Sequence, residues 1–179
     1  QRKMPEWAQE ALKRSVGQRC YPLVVALIEF ASTATFAFPF FVVLIPAVLL
    51  APRRWLLLGL LSGLTSGLGG AVLVEVFHFM GREVVIARFP QLLEWGHWQI
   101  ASEWLNDYGL LALAVIAGSP IPQTPAIFVY SLSEPSTFGV MIAVGMGKTV
   151  KYVFLAWLTA RYPARFIADY QQTVKNIQK

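Results

Sequence analysis

Glu29 is the one charged residue in an apolar run from Tyr21 to Leu50. A carboxylate in hydrocarbon is costly unless it is paired or protonated, so its presence there calls for a chemical reason. Beside a helix break it suits proton or cation coupling, because low-dielectric surroundings let a carboxyl change its charge. It equally suits a structural pair with Lys148 or Lys151 that locks two segments together. Those lysines lie three residues apart and share a helix face. They can clamp a phosphate as two point charges, or snorkel and balance Glu29 and Glu75. Glu75, His78 and Arg82, spaced by three and four, suit a coupling network or an ion pair at a helix end. Ser119, Gln123 and Thr124 fall in Gly118-Ser-Pro-Ile-Pro-Gln-Thr-Pro125. With exposed backbone amides they can bind a phosphate or a lipid head group, or simply satisfy a broken backbone.

Other chemistries find little to work with. Two histidines, one cysteine and scattered acids give no metal constellation and no nucleophile with its base, so neither an enzyme nor a cofactor is expected. Gly147-Lys148-Thr149 fails as a nucleotide-binding loop, which would need glycine at Ile142 and a preceding strand. Cys20 alone excludes an intramolecular disulfide. The net charge of +5 gathers at the two ends and at Arg53-Arg54, which suits anionic lipid head groups better than nucleic acid.

The elements that must position these residues follow from composition. At 179 residues, 56% hydrophobic and 14% charged, the chain reads as an all-α integral membrane protein, one unit over 1–179. Pro5 to Val16 predicts an interfacial amphipathic helix within 5–19. Tyr21 to Leu50 is too short for two crossings of about 30 Å each, and Ser32-Thr33-Ala-Thr35 followed by Pro39 predicts a break. Trp55 to Met80 is long enough for a full crossing and carries Gly59, Gly63 and Gly67, a stripe that admits a close neighbour. The connector 82–108 is rich in tryptophan and acids and reads as interfacial. In 109–160 the pattern returns. Leu110 to Ala117 and Ala126 to Leu132 flank a break at Pro120, Pro122 and Pro125, and Ser136 to Ala160 makes the second crossing with Gly139, Ala143 and Gly147. The tail 161–179 is basic. Each half, 21–81 and 109–160, is thus a re-entrant helical hairpin followed by a full transmembrane helix. With both termini and Arg53-Arg54 cytoplasmic, the two halves are inverted repeats whose hairpin tips meet near the midplane.

From about Tyr21 to Ala160 these residues resemble the DedA or VTT-domain (SNARE-associated) membrane proteins. Glu29 with Phe36-Ala-Phe-Pro39 is similar to that family's first hairpin, and His78-Phe-Met-Gly81-Arg82 to the end of its next helix. Ser119-Pro-Ile-Pro-Gln-Thr-Pro125 matches its second break, and Gly147-Lys148-Thr-Val-Lys151-Tyr152 is close to the YqaA-like branch. Where many members carry arginines in the second hairpin, this chain has Ser119, Gln123 and Thr124, leaving Lys148 and Lys151 as the phosphate ligands. The resemblance implies a flippase or scramblase that moves a lipid-linked phosphate, polyprenyl phosphate or phospholipid, with proton coupling through Glu29, Glu75 and His78. It implies the bacterial inner membrane as location and anionic lipids as partners. So few helices in one unit point to a homodimer as a way to enclose a cavity. The competing expectation is a structural subunit that uses its small-residue stripes to pack into a larger membrane complex.

Overall fold

The computed structural model describes residues 6–35, 40–88, 107–120, 123–131 and 136–166. Among them the chain is helical throughout, with no strand. The helices are α1 (Glu6–Ser15), α2 (Tyr21–Thr35), α3 (Phe41–Leu50), α4 (Trp55–Arg88), α5 (Leu110–Gly118), α6 (Thr124–Ser131) and α7 (Thr137–Arg161). A single 3-10 turn, Pro52–Arg54, joins α3 to α4. Pro39 and Pro122, the connector tryptophans and residues 167–179 lie outside the described residues.

Two helices, over Pro52–Gly81 and Thr137–Arg161, are long and apolar enough to cross a membrane. They form the spine and run antiparallel. Gly59 lies against Val153, Gly63 against Thr149 and Gly67 against Gly145, so the contact steps backward along α7 as it steps forward along α4. Each absent side chain lets the backbones approach, which in lipid is the main source of helix association. The opposite faces stay uncovered: Leu60, Leu64, Leu68 and Val72 on α4, and Ile142, Met146, Val150 and Phe154 on α7, are exposed. The serine at 136 caps α7 by accepting the Gly139 amide at 3.2 Å. Gly81 interrupts α4 with φ of 73°, a value that favours glycine, and sets Arg82 beyond the kink.

The four short helices pack around the spine in two matching ways. α2 packs on α4 and α5 on α7, each on the long helix that follows it, while α3 packs on α7 and α6 on α4. Side-chain contacts fix where the ends of these helices lie. The Tyr21 hydroxyl at the start of α2 donates to the Ala47 carbonyl near the end of α3, at 3.0 Å. Leu110 at the start of α5 touches Gly139, and Ser131 at the end of α6 meets His78, so those two ends share one level. Two cores result. One joins α1, α2 and α3 to the start of α4 and the end of α7. The other joins α5 and α6 to the far end of α4 and the start of α7.

α2 runs through Ser32-Thr33-Ala to Thr35, and Pro39, where the expected break is completed, lies outside the described residues. Within a helix a hydroxyl can bond back to the preceding turn or, on a buried face, to neighbouring helices. Thr35 bonds back to the Ala31 carbonyl at 2.6 Å, and Thr33 turns its hydroxyl to neighbouring helices. Pro125 is the second residue of α6, where a missing amide costs nothing. Pro46 instead sits inside α3 and removes one bond from that helix.

Candidate functional site

The chemistry gathers where α2, α4 and α7 meet. Glu29 is completely buried and Lys148 nearly so. Lys148 Nζ lies 3.0 Å from Glu29 Oε1, an ion pair that joins residues 119 positions apart. Of the two lysines open to Glu29 on the sequence, Lys148 is therefore its partner. The same carboxylate oxygen accepts the Tyr152 hydroxyl at 2.8 Å and the Thr33 hydroxyl at 2.9 Å. Lys148 Nζ also donates to Thr33 Oγ1 at 2.9 Å and lies 5.7 Å from the centre of the Tyr152 ring. Because the one Thr33 proton is directed to Glu29, the Ser66 hydroxyl at 3.1 Å must be the donor in its contact with Thr33.

Helix periodicity explains the cluster. Thr33 follows Glu29 by four residues and Tyr152 follows Lys148 by four, so each facing helix offers two stacked groups. An isolated charge could not be held at this depth; paired and ringed by hydroxyls, these two can. Thr33, Ser66 and Tyr152 were not among the expected site residues. The signal was present in that four-residue spacing, but a threonine near an apparent break and a serine in a packing stripe do not announce a carboxylate.

Lys151 goes elsewhere. Its Nζ donates to the Ser119 carbonyl at 2.6 Å, at the end of α5. Three helical residues turn through about 300°, so the two lysines point about 60° apart. At a junction of several helices that divergence sends Lys148 to α2 and Lys151 to α5. Burial and the nearby Lys148 charge both act on Lys151 here, and Ser119 supplies the neutral acceptor.

The second break supplies backbone and neutral side chains. Ser119 Oγ donates to the Ile116 carbonyl at 2.8 Å, closing α5, and Pro120 follows, exposed. The Gln123 carbonyl accepts the Ile127 amide at 3.0 Å, while its side-chain Oε1 is buried with no partner among the described residues. Thr124 opens α6. Lys151 thus reaches the second break while Lys148 reaches the first arm, and one turn of α7 serves both.

Glu75 and His78 sit apart from this centre, near the far end of α4. Glu75 accepts the Thr137 hydroxyl of α7. His78 Nδ1 lies 3.1 Å from the Ser131 carbonyl of α6. The two therefore bind different helices, and the side chain of Arg82 lies outside the described residues. Among the described residues no three His, Cys, Asp or Glu come together as metal ligands. Comparison with protein-family models, with curated proteins and with solved structures found no match for this chain.

Proposed function

We propose that this chain is a membrane-embedded flippase or scramblase for a phosphate-bearing lipid, and that the phosphate exchanges with Glu29 on the Lys148 ammonium. The observation that carries this reading is the buried Lys148–Glu29 pair, placed mid-helix where α2 meets α7. A charged pair there stabilises less than its cost would suggest, since apolar residues of similar volume often serve as well. Its presence fits a cation that must be released to a second anion. Lys151 on the Ser119 carbonyl supplies a second ammonium one turn away, tied among the described residues to a neutral acceptor.

The matched packing of α2 on α4 and α5 on α7, with α3 and α6 crossed over to the opposite long helix, supports two inverted repeats. Helices of 9 and 8 residues on either side of the second break are too short to span a bilayer, which supports re-entrant arms. The exposed apolar faces of α4 and α7 support lipid contact. The resemblance to DedA or VTT-domain proteins rests on the same residues, with the bacterial inner membrane as the expected location. In this arrangement Glu29 holds Lys148 between turnovers, and α2 must part from α7 for a head group to enter. A homodimer would enlarge the enclosed path.

The test is translocation of labelled polyprenyl phosphate and labelled phospholipid in proteoliposomes. Wild-type protein should move at least one of them, and folded Glu29→Gln and Lys148→Ala variants should not. Wild-type protein that moves neither lipid, with or without a pH gradient, would sink the proposal in favour of a structural subunit.

A further inference from the structure

Three oxygens beside the ion pair are buried and have no hydrogen-bond partner among the described residues: Glu29 Oε2, Ser62 Oγ and Thr149 Oγ1. Helix register places them in one layer. The Thr33–Ser66 contact pins α2 against α4, and the two helices run in the same direction, because the start of α2 lies beside the end of α3, from which α4 departs. Glu29 and Ser62 each lie four residues before that contact and so face one another one turn below it. Thr149 packs directly against Gly63, next to Ser62, and is flanked on α7 by Lys148.

The chemistry of the three groups is complementary at a distance. Two hydroxyls have protons to give and a carboxylate oxygen has lone pairs to fill, yet the structure pairs none of them with another. All three donors on Glu29 are spent on Oε1. A monovalent cation would find oxygen ligands here, but Lys148 already neutralises Glu29, and further positive charge would be buried without a counter-charge. Water needs two to four polar partners and no charge balance.

We infer that this layer is a hydration site: a single buried water accepts from Ser62 and Thr149 and donates to Glu29 Oε2. The carboxylate is then hydrogen-bonded on both oxygens, by protein on one side and by solvent on the other. This inference does not rest on the lipid reading, and a protein that moved no lipid would leave it intact.

The test compares thermal unfolding of the nanodisc-embedded protein with Ser62→Ala, Thr149→Val and the double substitution, in sodium, potassium and choline chloride. With a shared water, each single change lowers the midpoint by about 2–4 °C, the double change falls short of the sum, and the salt makes no difference. Dry, orphaned hydroxyls would give the opposite sign, because removing them relieves a desolvation penalty. A raised midpoint, strict additivity, or a midpoint that depends on sodium against choline overturns the inference. Water-edited proton-detected NMR on the wild type provides a readout that needs no variant. Transfer from water to Ser62 and Thr149 is expected, and its absence at both residues also overturns the proposal.

Discussion

The two halves share one packing scheme and differ in what they bury. Around α2 and α3 the core encloses a carboxylate, an ammonium and a ring of hydroxyls. Around α5 and α6 it is apolar and aromatic, with Phe77 and Phe128 edge to face at 5.5 Å. Of its polar contacts, Glu75 with Thr137 and His78 with Ser131 involve side chains of α4 that remain exposed, and Lys151 at its border meets only the neutral Ser119 carbonyl among the described residues. Architecture and chemistry are therefore separable here. The spine and the helices around it could be held by an apolar pair at positions 29 and 148, whereas the ion pair has no part in defining the second half. An element that the fold does not require, yet that costs desolvation, is where function is best sought.

That contrast can be broken most severely at the seam common to both halves. A Cβ at Gly63 would meet the Thr149 side chain and backbone, so Gly63→Leu must force α4 from α7. We expect no folded monodisperse protein by size-exclusion chromatography, and both cores to be lost together.

The sharpest comparison sets one substitution in each core. Lys148→Ala leaves a buried carboxylate without its counter-charge and should cost about 3–5 kcal/mol. Phe128→Ala empties an aromatic site in the second core and should cost a similar 3–5 kcal/mol or so. Denaturant titration should thus rank the two as near equals. Lipid movement by whatever fraction remains folded should separate them, being lost in Lys148→Ala and retained in Phe128→Ala.

Lys151→Ala should be milder. Its loss removes one charge-assisted bond to the Ser119 carbonyl, about 1–2 kcal/mol, and loosens the second break without disturbing Glu29. A loss as large as that of Lys148→Ala would show that the second half also depends on a buried charge.

Much of this contrast was legible in the residue pattern. Gly59, Gly63 and Gly67 announced a close helix neighbour, and that stripe is where α7 lies. The prolines between Leu110 and Leu132 announced two short helices, whose observed bounds fall within two residues or so of those expected. Glu29 stood out because charge is rare in an apolar run. The choice between Lys148 and Lys151 was not legible, since a divergence of about 60° matters only once it is known that α2 and α5 lie on different sides of α7. The partners of Thr33 were not legible, because only tertiary packing reveals the neighbours that satisfy a hydroxyl within a helix. Ser62, beside the glycine stripe, and Thr149, next to Lys148, carried no signal of their own in the sequence. Their unpaired oxygens emerge from the register of three helices.

In the proposed function Lys148 is shared between Glu29 and a lipid phosphate. Equilibrium binding of a short-chain polyprenyl phosphate to wild type and to Glu29→Gln, with Lys148→Gln as control, tests it most directly. Removing the competing carboxylate charge should free the ammonium and tighten binding by about tenfold, and Lys148→Gln should abolish that gain. Binding to folded Glu29→Gln that is unchanged or weaker than wild type would contradict the exchange and return the pair to a purely structural role.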